Sequence, residues 1–293
     1  MRRLFPSLPH GSAPETAPQA APGTDAGAAS SPQEDQSRWS VDELADAYAY
    51  PVQGQDAGRD GHPAYPVHSA HPGTSWLRAN MVASLDGAAY HEGRSQPLSS
   101  DADMRIFGVL RGLADVVVVG AQTVRQEGYR PARAREAFAA RREAAGQGPA
   151  PAIAVVSAGL DLDFSLPLFT EPLVPTLVVT GAGAPSDRIA AAREAGAEVV
   201  FAGEGAWVEP ARVPVALAER GLRRQLTEGG PRLLGQFVAA DALDELCLTV
   251  APRLTSGDAP RIVNGPGLAV PSDFRLEGVL EEDGFLFTRY RRI

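Results

Sequence analysis

The chain has 293 residues, of which 44% are hydrophobic, enough for the core of one large domain or two small ones. No apolar run approaches the roughly 18 residues of a transmembrane helix, and no apolar segment follows the two arginines at the start. We therefore expect a cytoplasmic protein without a membrane partner. The formal net charge of −9 argues against a nucleic-acid partner. The 27 basic residues include no lysine, so any positive charge that binds an anion must come from arginine.

The N-terminal quarter is predicted to carry little regular structure. Residues 1–37 are rich in Ala, Pro, Ser and Gly and are predicted to be a disordered tail. Residues 38–75 are predicted to be a short helix followed by a linker. Ser40 and Glu43 match a capping box, which predicts a helix that continues to about Tyr48.

No metal site is predicted. The only cysteine, Cys247, lies in an apolar run, which favours a buried core position over a nucleophile. Three histidines fall in the Pro- and Gly-rich linker, where their side chains would have no fixed geometry: His62, His68 and His71.

From Trp76 to Ile293 the pattern changes to alternating strands and helices, which predicts one α/β domain with helices on both faces of a mostly parallel sheet. The predicted strands are Trp76–Ala83, Val116–Gly120, Ile153–Ser157, Thr176–Thr180, Glu198–Phe201, Gln225–Thr227, Glu245–Ala251 and Phe285–Tyr290. The predicted helices are Ser100–Leu113, Pro185–Ala195, Val213–Glu219 and Pro231–Ala239. The segment Arg133–Gln147 is predicted to be an exposed helix or a long loop.

The first candidate motif, "NMVASLDG", covers Asn80–Gly87. It is a predicted strand that ends in an Asp-Gly turn, and α/β sheets bind ligands at such strand ends. Asp86 is therefore a candidate acid. Taken alone, the pattern also fits a simple turn.

The second motif, "GRSQPLSS", covers Gly93–Ser100 and precedes a predicted helix that carries Arg111. Hydroxyl groups before a helix N-terminus suit an anion or a ribosyl hydroxyl. Arg111 alone also fits a solvated charge near the C-terminus of the helix.

Two further motifs place glycine turns after predicted strands. Gly120 and Thr123 follow a run of four valines, and "TEGGPRLLG" begins at Thr227 and runs into a helix. A strand, a Gly-Gly turn and a helix start together form an amide-lined cradle suited to a diphosphate. The GxGxxG fingerprint is absent, and taken alone the Gly-Gly turn also fits an ordinary loop.

Together, "SLDG", "GRSQPLSS", "LRGLADVVVVGAQTV" and "TEGGPRLLG" resemble the dihydrofolate-reductase-like pyrimidine reductases of riboflavin synthesis. The resemblance runs from about Trp76 to Val250. It implies a three-layer α/β/α fold around a mixed sheet, NADPH as the cofactor and a homodimer. It further implies reduction of 5-amino-6-(5-phosphoribosylamino)uracil to the ribityl product.

The resemblance also implies roles for single residues. Substrate binding falls on Ser95, Arg111, Glu228 and Arg133. Cofactor binding falls on Val82, Gly120, Thr123, Glu127, Ser157, Gly229, Gly230, Pro231, Arg232 and Leu233, within a stretch that continues to Gln236. The candidates for delivering a proton are Asp86, Glu228 and solvent.

Several positions depart from the family pattern. Asn80 stands where many bacterial members carry lysine, Glu127 replaces a common aspartate, and Gly128-Tyr129 replaces an Asp/Asn-Pro pair. The His-x-Glu and Pro-Cys-x-x-Cys motifs of a fused deaminase are absent. Two alternatives stay open: a reductase of the same fold that acts on another pteridine-like heterocycle, and a non-catalytic nucleotide-binding protein.

Overall fold

A computed structural model describes residues 1–5, 39–51 and 75–293. The described residues form one ten-stranded sheet in the order β1-β9-β10-β8-β2-β7-β3-β4-β5-β6. The seven strands from β8 to β6 run parallel, and β10, β9 and β1 extend one edge in antiparallel pairing. The strands are β1 Arg2–Phe5, β2 Trp76–Ala83, β3 Val116–Gly120, β4 Ala152–Val156, β5 Leu177–Thr180, β6 Glu198–Phe201, β7 Arg224–Thr227, β8 Glu245–Val250, β9 Phe274–Glu282 and β10 Phe285–Arg292.

Helices cover both faces of the sheet, and the alternation of side chains along the strands explains why. On β3, Val117 and Val119 join one apolar core, while Val116 and Val118 join the other, and all four are fully buried. The helices are α1 Val41–Ala47, α2 Asp101–Leu113, α3 Ala121–Glu127, α4 Ala139–Ala144, α5 Pro167–Thr170, α6 Ser186–Glu194, α7 Arg212–Ala218 and α8 Pro231–Ala239. Helices α2 and α6 pack on the first core and α7 and α8 on the second, which confirms the predicted three-layer α/β fold.

Two strands were not predicted. β9 pairs with β10 in a hairpin, and β1 pairs with β9 at the outer edge. Met1 is buried, and its amino group lies 3.0 Å from Glu282. For residues 1–5 the structure therefore differs from the predicted disordered tail, because a partner strand nearly 280 residues away supplies the hydrogen bonds.

The remaining tail residues, 6–38, lie outside the described part of the chain, as do the three linker histidines. The capping box is confirmed: the hydroxyl of Ser40 accepts from the amide of Glu43, and the Glu43 carboxylate accepts from the amide of Ser40. Within the described ranges, none of the helices has the length and apolar character needed to cross a bilayer.

Candidate active site

Two adjoining cavities open where the parallel strands end. The arginine-lined cavity, of about 520 Å³, lies over the end of β2 and beside α2, and Arg111 and Glu228 line it. The glycine-lined cavity, of about 850 Å³, lies between the end of β3 and the start of α8. Tyr90 and Thr123 line both. The carboxyl ends of parallel strands meet at one edge of a sheet, so residues from distant motifs share this cleft.

An ion pair with a tyrosine beside it forms the polar centre of the arginine-lined cavity. Arg111 donates from Nε and Nη2 to the two carboxylate oxygens of Glu228, at 2.7 Å each. The hydroxyl of Tyr129 donates to Glu228 Oε2. The guanidinium of Arg111 lies 4.3 Å from the ring centre of Phe107 and 5.4 Å from that of Tyr129. Three side chains from α2, the loop after α3 and the end of β7 therefore hold one another in place.

Burial strengthens this cluster. The side chain of Glu228 is only 4% exposed and that of Arg111 is 19% exposed. Burial alone would lower the pKa of Arg111, but the Glu228 carboxylate outweighs burial and raises that pKa. The pKa of Tyr129 is raised well above its ordinary value, first by burial and then by the same carboxylate. The cluster therefore keeps a charged arginine and a protonated tyrosine at neutral pH.

Further arginines surround the mouth of the same cavity. Arg130, Arg133 and Arg135 all line it, and within the described residues none of them forms an ion pair. Ser95 and Ser99 add hydroxyl groups to the wall. Arginine binds phosphate through several directed N–H groups, so this wall suits a phosphorylated ligand. Of the three arginines, only Arg133 was predicted, from the family resemblance; all three lie in one loop outside the four motifs.

The glycine-lined cavity is built by close backbone approach between two strand ends. The amide of Gly120 donates to the carbonyl of Gly229 at 2.8 Å, and the amide of Gly230 donates to Thr123 Oγ1 at 2.7 Å. A Cβ atom on Gly230 would lie 2.6 Å from Thr123 Oγ1 and 2.9 Å from the hydroxyl of Tyr90. A Cβ atom at 230 would therefore displace Thr123 Oγ1 or the Tyr90 hydroxyl, and glycine preserves this arrangement of the turn.

Helix α8 begins directly after the glycine turn, at Pro231, and its first residues line the glycine-lined cavity. The orphan N–H groups and the positive end of the helix dipole favour an anion at this place. Five further predicted cofactor residues line this cavity: Gly120, Ser157, Arg232, Leu233 and Gln236. Gly229 contributes its carbonyl to the turn.

The structure separates most of the predicted substrate and cofactor residues into the two cavities, but Thr123 lines both cavities and Gly229 lines neither. Val82 and Glu127, both predicted on the cofactor side, line the arginine-lined cavity. The amide and hydroxyl of Ser95 both donate to Glu127 Oε1 at 3.1 Å. Glu127 thus contacts a predicted substrate residue, and its predicted role in cofactor binding stays a prediction.

Asp86 lines neither cavity, which differs from the expectation that it faces the reacting groups. Its carboxylate accepts from the hydroxyl of Ser84 at 2.5 Å and from the amides of Thr255 and Ser256. These hydrogen bonds, that of Ser84 first, lower the pKa of Asp86 to about 2. The structure therefore places this exposed carboxylate in the Asp-Gly turn, outside both cavities, and its role as a proton donor stays a prediction.

A buried carboxyl that the sequence did not point to lines the arginine-lined cavity. Asp103 is in the first turn of α2, where it accepts from the hydroxyls of Ser99 at 2.5 Å and Thr249 at 2.6 Å. Burial raises the pKa of Asp103, and these hydrogen bonds offset only part of that shift. This carboxyl has no cation among its hydrogen-bonding partners.

A mixed, mostly parallel sheet with helices on both faces and a two-part cleft at its strand ends defines an α/β protein that binds ligands at that edge of the sheet. The chain belongs to the RibD C-terminal domain family, whose profile matches residues 75–282. The predicted family resemblance is thereby confirmed.

Two named relatives and one solved structure are similar to this chain and support the same family. A 2,5-diamino-6-ribosylamino-4(3H)-pyrimidinone 5′-phosphate reductase from Archaeoglobus fulgidus is 28% identical over 192 residues, 65% of this chain and 86% of that protein. A reductase of the same name from Aquifex aeolicus is 30% identical over 190 residues, 63% of this chain and 80% of that protein. The crystal structure of a pyrimidine reductase-like protein from Corynebacterium diphtheriae has 29% identity and a TM-score of 0.68, with 75% of this chain and 92% of that chain covered.

Proposed function

We propose that this protein is an NADPH-dependent reductase of a phosphoribosylaminopyrimidine in riboflavin synthesis. The observation that carries the proposal is the adjacency of the two cavities. An arginine-rich site with a buried carboxylate meets a glycine-turn site across Tyr90 and Thr123. Hydride transfer needs a reduced dinucleotide and its substrate in contact, and this arrangement supplies both places.

The glycine-lined cavity fits the dinucleotide. The first turn of α8 presents backbone N–H groups to the cavity, next to Thr123, whose hydroxyl accepts from the amide of Gly230. The absence of a side chain on Gly230 lets the turn lie this close to Thr123 and Tyr90. NADPH bound here would supply the hydride. The protein has to hold the dinucleotide, orient it toward the arginine-lined cavity and exclude water.

The arginine-lined cavity fits the substrate. Arg130, Arg133 and Arg135 would bind the phosphate, and Ser95 and Ser99 would accept or donate hydrogen bonds to the ribosyl chain. Glu228 would accept from the amino and ring N–H groups of the pyrimidine. Reduction also consumes one proton. Glu228 lines the cavity but is a carboxylate paired with Arg111, so solvent is the source of that proton.

Two closely related substrates are candidates. The family resemblance points to 5-amino-6-(5-phosphoribosylamino)uracil, whereas relatives from Archaeoglobus and Aquifex are named for the 2,5-diamino compound. The two differ in one ring substituent. Incubating the purified protein with NADPH and each compound, and following NADPH oxidation, tests the proposal. Oxidation with at least one compound is expected, and it should fail when the phosphate is removed from that compound.

If NADPH bound but neither compound were reduced, the proposal would fail in favour of a reductase with another heterocyclic substrate or a non-catalytic protein. The homodimer implied by the resemblance stays a prediction, which sedimentation of the full chain would test.

A further inference from the structure

An exposed tryptophan stands at the glycine-lined cavity. Trp207 lies in the loop between β6 and α7, is 78% exposed and lines that cavity. None of the sequence motifs includes it. Burying an indole is favourable in free energy because of its large apolar surface, and this one is left in contact with water at the edge of a ligand cavity. A bound ligand that covers the indole would explain its position.

The loop that carries Trp207 is held rigidly. Its backbone exchanges hydrogen bonds with the segment after β5: the amide of Ala182 donates to Gly203 at 2.8 Å, and that of Gly183 donates to Gly205 at 2.9 Å. A Cβ atom on Gly181 would lie 2.6 Å from the carbonyl oxygen of Trp207. Glycine at 181 therefore permits the close approach that fixes this loop, so the indole is presented from a defined backbone.

The residues that the two cavities share, and those that they do not, indicate which part of a dinucleotide would reach Trp207. Thr123 and Tyr90 border the arginine-lined cavity, where the nicotinamide must meet the substrate. The Gly230 turn and α8 suit the diphosphate. Trp207 lines only the glycine-lined cavity, as does Ser157 at the end of β4. That remaining part is left for the adenosine.

We propose that the indole of Trp207 stacks on the adenine ring of the bound dinucleotide and thereby contributes to cofactor affinity. The proposal rests on the proposed function, since it assumes that the glycine-lined cavity binds NADPH. Aromatic side chains bind a base through its π-face, which suits a platform that has no hydrogen-bonding partner of its own. Arg232 lines the same cavity, is exposed and, among the described residues, forms no ion pair, so it can neutralise a phosphate on the adenosine ribose. Asp258 is the acidic residue that lines this cavity.

Tryptophan fluorescence reports this contact directly. The chain has three tryptophans, and Trp76 is buried with its indole N–H bonded to Glu245. Trp39 lies at a separate cavity beside α1. Titrating the full-length protein with NADPH and with adenosine 2′,5′-bisphosphate should quench emission in the native protein and in Trp39→Phe, the matched control. Trp207→Phe should lose this quenching by the bisphosphate. Reduced nicotinamide mononucleotide should leave the Trp207 emission unchanged.

Calorimetry measures how much the stacking of Trp207 on adenine contributes to cofactor affinity. Trp207→Ala is expected to raise the Kd of NADPH and of the bisphosphate by the same factor, about tenfold, while Trp207→Phe retains most of the affinity. An unchanged Kd in Trp207→Ala, or a loss confined to the nicotinamide mononucleotide, would overturn the proposal. The two failures can be told apart. If the native protein bound no NADPH at all, the proposed function itself would fail. If the native protein bound NADPH and Trp207→Ala bound it with the same Kd, only the proposal for Trp207 would fail.

Discussion

The Arg111–Glu228 pair gives the sharpest test of how the arginine-lined cavity is held together. Glu228→Gln keeps the shape of the side chain but removes its charge, and the new amide N–H₂ faces the donors of Arg111. Breaking a fully buried ion pair costs about 3–5 kcal/mol. Because Arg111 remains 19% exposed, water compensates part of its charge, and we expect a loss of about 2–3 kcal/mol in the free energy of unfolding.

Thermal unfolding checks this magnitude. At roughly 2–4 °C per kcal/mol for a domain of this size, Glu228→Gln should lower the Tm by about 4–12 °C. The matched control is Glu204→Gln, which removes the charge from an exposed pair with Arg212, at 2.8 Å against 2.7 Å for Arg111–Glu228, and should leave the Tm unchanged. The double variant Arg111→Met/Glu228→Gln should be less destabilised than the sum of the single variants. Equal Tm values for Glu228→Gln and Glu204→Gln would refute the reasoning.

Glu228→Gln should also impair use of the substrate without impairing binding of the cofactor, because Glu228 lines only the arginine-lined cavity of the two. Losing one charge-assisted contact is worth roughly 1.5–3 kcal/mol, so Glu228→Gln and Arg111→Ala should each lower kcat/KM for the pyrimidine by about one to two decades. The Kd of NADPH should change little. If a folded variant lost NADPH binding instead, the assignment of substrate and cofactor to the two cavities would be wrong.

Four further outcomes are expected. Gly230→Ala should weaken NADPH binding at least about tenfold in calorimetry, because its Cβ atom collides with the cradle, whereas Gly267→Ala, which has open space around it, should not. Glu245 is buried between Arg78 and Arg289. Burial raises the pKa of Glu245, but the two arginines together outweigh burial and lower that pKa from 4.5 to about 2. The stability that Glu245 contributes is therefore complete above about pH 4.5 and is lost as the pH falls toward 2, and urea unfolding of Glu245→Gln should lack this pH dependence. Burial raises the pKa of Cys247 to about 12, so a thiol reagent near neutral pH should label it only after denaturation. A chain that starts at Ser40 lacks β1 and should unfold at a lower temperature while retaining activity; an unchanged Tm would show that β1 adds no stability.

The parallel part of the sheet could be predicted because it is locally encoded. Strands buried on both faces are continuous apolar runs, such as Val116–Gly120, and their bounds agree with the structure to within one or two residues. β9 was missed because most of its residues are half-buried and no alternation marks a core face. The Asp283-Gly284 pair, in which both residues have positive φ, is a strong hairpin signal that would have revealed β9 and its pairing with β10.

The site could be predicted only in part, for a related reason. Each motif shows that a strand end carries polar residues, but not which side chains meet. Tyr129 and Glu228 are 99 residues apart in sequence, and the sequence singled out Tyr129 only as a departure from the family pattern. Asp86 was expected at the reacting groups because its motif lies at a strand end. Instead its side chain bonds to the neighbouring loop, whose position is a tertiary property.

The ion pair also changes the role expected of Arg111. A guanidinium has five N–H donors in a fixed plane, and Arg111 directs two of them at Glu228. An arginine engaged this way orients the carboxylate and has fewer donors left for a phosphate. The arginines without ion pairs, Arg130, Arg133 and Arg135, are the ones proposed to bind the phosphate. Under the proposed function, one arginine would orient the carboxylate that binds the pyrimidine, and the others would be left for the phosphate. The effects of Arg111→Ala and Glu228→Gln on kcat/KM should consequently be far from additive, because both remove the same oriented carboxylate.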